Sequence, residues 1–274
     1  RNYLNTYNYN YRDTLETNVK LESFRANNYY SFQSYLFQDL RQEFNRRNTP
    51  KILPRIKLNL NSDNYTNDLN FNTNIEFANI LRTDGNETKK LFLQQKIEFP
   101  KFFKDGSNII IGSEISLDQS SSNVLRNIYE RPEQKTNAGF AQYRLRLGDD
   151  LMLDMGMRFD SRDVTGGEGY SVKSFQAFSP KISISYQLDQ SLITYLAFNR
   201  GFRAPSISEL FLEYESSYGL LLQGNPTLKP ESLTSLEGGL KFQKEEVSIF
   251  GNIFFNHYSD MIDFIYTIPV RSVN

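Results

Sequence analysis

Apolar residues recur at every second position along nearly the whole chain. Tyr7, Tyr9 and Tyr11 alternate with asparagine, and Val19 and Leu21 follow; Tyr30 and Phe32 give way, after a slip of phase, to Tyr35 and Phe37. The rhythm continues through Ile56, Leu58 and Leu60, then Leu69, Phe71, Ile75 and Phe77, then Leu91, Leu93, Ile97 and Phe99. It is cleanest in the second half, at Leu151, Leu153, Met155, Met157 and Phe159 and at Ile182, Ile184, Tyr186 and Leu188. Asn, Gln, Ser, Thr, Lys and Asp fill the opposite phase. A repeat of two is the signature of strands with one apolar and one polar face. Only Asp39–Arg47 and Ser208–Tyr214 read as helical, and both are short and fall in predicted loops.

The connections alternate in length. Gly148-Asp149-Asp150, Leu188-Asp189-Gln190 and Gln243–Glu246 have the size of hairpin turns, whereas Gln119–Asn137, Ser161–Phe175 and Arg200–Leu233 are long. Continued backwards, the same parity puts Lys101–Ser107, Asn61–Asn67 and Ser23–Asn28 on the short side, and Arg82–Lys90 and Gln38–Lys51 on the long side. Before Leu15 the parity is open, because Tyr3–Leu21 fits one long strand or two short ones. Short turns on one side and long loops on the other are the plan of an outer-membrane barrel, with the long loops outside the cell. A soluble sandwich also alternates, but roughly 13 consecutive meander strands exceed its usual count. The fold expected is all-β, an antiparallel transmembrane β-barrel wall.

Composition narrows the choice. The 274 residues are 39% hydrophobic and contain 22 Phe and 17 Tyr but no Trp. No run approaches the roughly 20 apolar residues of a membrane helix. Lys+Arg 31 against Asp+Glu 32 gives no basic excess for nucleic acid. Without cysteine there are neither disulfides nor thiolate metal sites, and a lone His257 rules out a histidine cluster. No nucleophile, base and acid stand at a catalytic spacing, so neither catalytic residues, nor a metal site, nor a cofactor is expected. The chain starts at Arg1 without a signal peptide and reads as a mature or excised segment.

The most specific stretch lies between Tyr195 and Phe242. Its first element is Arg200-Gly201-Phe202-Arg203-Ala204-Pro205. The second is Gly224-Asn225-Pro226-Thr227-Leu228-Lys229-Pro230-Glu231, which leads into Leu236-Glu237-Gly238-Gly239. Gly201 and Pro205 shape the chain as it leaves a strand. Pro226 and Pro230 stiffen the return, a cation beside Phe202 is plausible at a barrel rim, and Glu231 is placed to pair with Arg200 or Arg203. This pair of elements, in this order, resembles the barrel signature of TonB-dependent outer-membrane receptors. Ala138–Gln142 with Asp154–Asp160, Ser179-Pro180-Lys181 and Asn256–Asp263 fit further positions of that family. Leu53–Leu60 is also similar to a strand of lipopolysaccharide-assembly barrels.

The resemblance implies a barrel of about 22 strands closed by a plug, in the bacterial outer membrane. It also implies uptake of a scarce, bulky ligand such as a ferric siderophore, haem or cobalamin, driven by the TonB complex. Residues 1–274 are expected to be part of the barrel, with the plug absent, and the receptor is expected to be a monomer surrounded by outer-membrane lipid. The motif residues are expected to fold the base of an extracellular loop rather than to touch ligand. Tyr170, Phe175, Tyr214 and Tyr218 are the aromatic candidates for a small-molecule or metal-chelate ligand. Asp160, Asp163 and Glu168 are carboxylates near them. A passive porin or a lipopolysaccharide-assembly barrel is the alternative.

Overall fold

The computed structural model describes residues 14–40, 49–62, 69–83, 86–100, 107–122, 132–167, 169–211, 213–215 and 221–263. Ten strands follow in order from the start: β1 (Thr14–Arg25), β2 (Asn28–Asp39), β3 (Lys51–Asn61), β4 (Asn70–Leu81), β5 (Asn86–Phe99), β6 (Asn108–Ser122), β7 (Glu133–Leu147), β8 (Leu151–Thr165), β9 (Lys173–Gln187) and β10 (Leu192–Arg203). A short helix α1 (Ile207–Phe211) and a small hairpin, β11 (Glu213–Glu215) and β12 (Leu221–Gln223), come next, before β13 (Glu231–Lys244) and β14 (Val247–Ser259). β1 to β10, β13 and β14 form one antiparallel 12-stranded sheet in chain order, so every neighbour in space is a neighbour in sequence apart from the α1 and β11–β12 excursion. Against the roughly 13 strands expected, the described residues hold twelve in the wall and two more in the outlying hairpin. The tyrosines of the expected first strand (Tyr7 to Tyr11) lie outside the described residues.

The paired registers carry the alternation across the sheet. One row runs Phe99, Ile109, Tyr143, Met155, Ile182, Phe198, Leu236 and Phe255. The adjacent row of the opposite phase includes Asn108, Arg144, Asp154, Ser183 and Glu237. A soluble sandwich would hide the apolar phase. Here the buried hydrophobics among the described residues are few, whereas Met157 is 56% and Ile253 83% exposed. A continuous apolar face of this extent, covered by no protein, is the face for lipid.

The apolar band does not follow the hydrogen-bonded rows. In β2 to β6 it centres on the row Phe32, Ile56, Phe77, Leu91 and Leu117. That row reaches Lys135 in β7, where the band has moved toward the short-turn end, to Tyr143 and Leu145. Drift across the rows means that the strands are inclined to the membrane, as barrel closure requires. At about 3.3 Å per residue, the 11 to 15 residues of the wall strands span the hydrocarbon even when tilted.

Local departures have local causes. Register shifts between Gln33 and Tyr35, and between Ile52 and Arg55, bracket Pro54, which has no N–H for the ladder and is accommodated at a bulge. The first of these is the slip of phase visible in the sequence. On the short-turn side, Ala26–Asn27, Gly148–Asp150 and Glu245–Glu246 are tight turns, and Gly148 adopts φ 68, where a side chain would be strained. β1 is one strand back to Thr14, which settles the parity after that residue.

Two expectations need correction. The long loops are shorter than expected because the strands run further out of the membrane: β8 continues to Thr165, β9 starts at Lys173, and Arg200–Arg203 are the end of β10 rather than loop. Of the expected helices, Asp39 instead ends β2, with 41–48 outside the described residues, while α1 covers Ile207–Phe211 and Tyr214 belongs to β11.

Because Ile182 is an outward residue and its chain neighbour Ser183 an inward one, the two faces respond oppositely to charge. Ile182→Arg is expected to cost about 2–4 kcal/mol and Ser183→Arg much less. Refolding into lipid vesicles against urea measures both; equal costs would contradict the assignment of faces.

Candidate functional site

The signature motif folds into a clamp at the long-loop end of the wall. Arg203 is its hub. Its Nε donates to Glu231 Oε2 at 2.5 Å, and its Nη1 donates to Glu209 Oε1 and Oε2 at 3.0 and 2.9 Å. The other oxygen of Glu231, Oε1, accepts the backbone N–H of Ile262 at 2.6 Å. One guanidinium thus ties the end of β10, the start of β13, the segment after β14 and α1. Glu231 pairs with Arg203, and Arg200 takes no ion pair among the described residues.

Sequence spacing explains this division. Three steps along a strand reverse the face, so Arg200 shares the outward phase of Phe198 and Phe202, and Arg203 faces inward. Of the two cations flanking Phe202, Arg203 is therefore drawn away to carboxylates, while Arg200 keeps the face of Phe202. Among the described residues a cation–aromatic contact within the wall is that of Arg158 over Phe140, 6.0 Å from the ring centre. Gly201 pairs with Leu233 within β10–β13.

Beyond the strand, Ala204 and Pro205 are buried and deliver the chain to Ser206. Ser206 N–H donates to Glu209 Oε2 at 2.7 Å, and Glu209 N–H donates back to Ser206 Oγ at 3.3 Å. This reciprocal capping box allows so short a helix to start. Glu209 was missed in the sequence reading, although Ser-Ile-Ser-Glu carries the capping spacing. Asn225 makes the second anchor: its N–H donates to Glu209 O at 2.8 Å, and its Oδ1 accepts from Thr227 N–H and Oγ1. Pro226 borders a depression described below, Pro230 is half-buried and Lys229 is exposed.

Above the inner face, Val164 at the end of β8 packs with Leu210 and Phe211 of α1, supported by Phe175, Ile207 and Leu228. Val164 and Leu210 have no exposed surface. Of the aromatic candidates, Phe175 is packing in this cluster. Tyr170 is exposed and meets Phe211 edge-on at 5.6 Å. The backbone of Tyr214 pairs with Leu222 in β11–β12, and Tyr218 lies outside the described residues. Tyr170, Lys173, Leu210, Phe211, Gln223 and Pro226 line a half-open depression of about 440 Å³. The neighbouring carboxylates are already engaged, Asp160 by Arg158 and Asp163 by Ser174, and Glu168 lies outside the described residues. Among the described residues no group of three or more His, Asp or Glu could hold a metal ion.

Below the clamp the inner wall carries a continuous side-chain network. Asn72 donates to Asn61, Asn61 to Asn59, Asn59 to Asn74, Asn74 to Gln94 and Gln94 to Glu114, over 2.5–3.4 Å. Arg158 closes the run onto Glu114 and Asp160. Along this run the polar phase is bonded side chain to side chain, as suits a lumen wall, whereas Ser31 Oγ, Thr136 Oγ1 and Arg162 Nε are buried without a partner among the described residues.

Clamp, apolar mouth and polar lumen together define an outer-membrane receptor barrel, and the comparisons agree. Over residues 1–274 the chain matches the family described as TonB dependent receptor-like, beta-barrel, and it belongs to that family. It is 25% identical over 171 residues to a probable TonB-dependent siderophore receptor, PirA, of Acinetobacter baumannii, covering 58% of this chain and 22% of that one. It is 28% identical over 116 residues to the ferrienterobactin receptor of Escherichia coli, covering 39% of this chain and 14% of the receptor. The crystal structure of the A. baumannii PirA superposes with a TM-score of 0.69 at 15% identity, over 90% of this chain and 43% of that one. The chain spans about a fifth of the length of the first of these curated relatives and less than half of the solved one. The family is one of receptors of the bacterial outer membrane, not of enzymes.

The clamp gives two predictions. Arg203→Lys keeps the charge but loses the two-sided grip, a partly exposed contact contributing about 1 kcal/mol. Hydrogen exchange at the amides of α1 should accelerate roughly fivefold, with Arg200→Lys leaving it unchanged. The second concerns pH. Burial works to raise the Glu209 carboxyl, but Arg203 and Ser206 outweigh it and hold the group below the ordinary carboxylate range. A folded value below the unfolded one means that this stabilisation is complete above the ordinary carboxylate range and is lost as pH falls through the depressed folded value. The protection of the α1 amides, taken as observed exchange against the intrinsic rate at the same pH, should therefore be flat from neutral down to mildly acidic pH and fall only in stronger acid; a fall near neutrality would contradict it.

Proposed function

We propose that this chain forms wall and mouth of a receptor that takes up a scarce iron chelate of the ferric-siderophore class, powered by the TonB complex. The observation that carries the reading is the rigid mouth. Arg203, Glu209 and Glu231 fix α1 above the lumen, and α1 presents the depression of Tyr170, Lys173 and Phe211. Such a surface offers stacking and a single cation to a bulky, aromatic, negatively charged ligand. Family membership over the whole chain and the siderophore-receptor names of its relatives support it. The motif residues serve as scaffold, and Tyr170 and Lys173 make the contact. No bond is made or broken, and the receptor acts as a monomer in outer-membrane lipid.

A passive porin or an assembly barrel would need neither a fixed ligand surface nor energy. Uptake of radioactive iron supplied as catecholate and hydroxamate chelates, by iron-starved cells carrying the receptor, separates these readings. Uptake is expected to vanish when TonB is deleted. Tyr170→Ala and Lys173→Ala should each raise the Kd by about tenfold, equivalent to about 1.4 kcal/mol. Uptake that persists without TonB and is indifferent to both substitutions would favour the passive barrel.

A further inference from the structure

The lipid face is interrupted by a polar row inside its apolar band. The row through Leu60, Thr73, Gln95, Ser113, Gly139 and Phe159 has the outward phase, and its four middle members are polar or bare. The outward residues on either side of it are apolar. Ile75, Leu93 and Ile115 stand in the row toward the long loops, and Phe71, Ile97 and Ile111 in the row toward the short turns. Phe71, Leu93, Ile111 and Ile115 are exposed, as is Ser113 itself. The polar row therefore lies at hydrocarbon depth on the side of the wall away from the lumen, where nothing inside the barrel reaches it.

Hydrogen bonding within the row is incomplete. Thr73 Oγ1 donates to Gln95 Oε1 at 2.5 Å. The Gln95 amide, however, carries two N–H groups, and its contact is to Lys96 O at 3.5 Å, the outer limit of a hydrogen bond. The exposed Ser113 Oγ takes no hydrogen bond among the described residues. Acyl chains offer neither group a partner, and polar groups at this depth are costly unless protein answers them. Gly139 pairs with Ser113 and is exposed in mid-strand, where glycine weakens a sheet. A Cβ there would meet nothing, and its φ lies outside the left-handed region, so neither packing nor backbone conformation in this chain asks for glycine. A spare donor, a spare acceptor and bare backbone in one row suit a close protein contact within the membrane.

A second copy of this chain supplies what the row lacks. A two-fold axis along the membrane normal brings the same patch of both copies face to face at one depth. With the axis between β5 and β6, Gln95 of one copy stands opposite Ser113 of the other, so spare donor meets spare acceptor twice. A different protein would need a polar group of its own at that depth, which the second copy has by symmetry. We propose that the outer face of β4 to β7 is a contact between two copies of this chain in the outer membrane, with Gln95 of each donating to Ser113 of the other and Gly139 admitting the close approach. Each barrel remains a complete uptake unit, the sense in which the receptor acts as a monomer, so the pairing goes beyond the receptor reading and does not rest on it.

Cross-linking in the membrane tests the contact. The chain has no cysteine, so Ile115→Cys in the whole receptor, oxidised with copper phenanthroline in intact outer membranes, reports on the β4–β7 face. Ile184→Cys reports on the outer face of β9, and the parent receptor gives the background. A covalent dimer is expected from Ile115→Cys and no more than background from Ile184→Cys. Adding Gln95→Leu should lower the Ile115→Cys yield about fivefold, and Ser113→Ala should act in the same direction. Gln95→Leu exchanges a polar group for an apolar one on the lipid face, so the barrel should fold as well as the parent does and iron uptake should be unchanged. Equal yields from the two cysteines, a yield indifferent to Gln95→Leu, or a product whose second chain is another protein would each overturn the proposal. Uptake and cross-linking are separate readouts, so failure of the pairing is distinguishable from failure of the receptor reading.

Discussion

Hydrocarbon offers no partner to a peptide N–H or C=O, and the rest of this structure depends on that constraint. Every backbone group crossing the membrane must bond to a neighbouring strand. The meander answers with twelve strands in chain order, each pairing with the next over most of its length. Period-two alternation is the consequence, because a strand fixed in such a wall shows alternate residues to lipid and to the lumen. The same constraint bears on β1 and β14, which end the sheet. Their outer edges carry a row of backbone groups that no described residue pairs, so in the membrane each edge must meet another strand.

The inner phase faces a different problem. Its polar side chains stand on a rigid surface at fixed spacing, and each must find partners there. The amide run from Asn72 to Glu114, closed by Arg158, solves this by passing hydrogen bonds across successive strands. Each such bond contributes only about 1 kcal/mol net, but together they leave the lumen wall few loose groups.

The wall was legible in the sequence because burial by lipid and exposure to the lumen both act on single residues at period two. Even the bulge after Gln33 showed as a slip of phase between Phe32 and Tyr35. Strand ends were less legible. Once a strand leaves the hydrocarbon its outward residues become Arg200, Thr234 or Asp163, and the alternation fades while the ladder continues. The aromatic candidates divided for a related reason: Phe175 and Tyr170 are alike as loop residues in sequence, but only the fold shows that one supports Val164 and Leu210 while the other borders the depression. The clamp was half legible. That Glu231 pairs with one of the two arginines followed from the motif, but the choice of Arg203 needed the fold, and Glu209 required seeing Ser206 and Glu209 as a capping pair.

The signature itself follows from strand geometry at a membrane boundary. Arginines three residues apart on a strand cannot share a face, so a pair at this spacing puts one cation on each side of the wall. Arg200, in phase with Phe198 and Phe202, stands where the apolar band meets the polar headgroups, a place where a long cationic side chain can lie along apolar surface and reach water. Arg203, on the inner side, is free to gather the carboxylates that fix the mouth. One short segment thus sets the height of the strand in the membrane and the position of the helix above the lumen. Moving Arg200 by one residue would turn it into the lumen, and moving Arg203 by one would turn it to the outer face, away from Glu209 and Glu231.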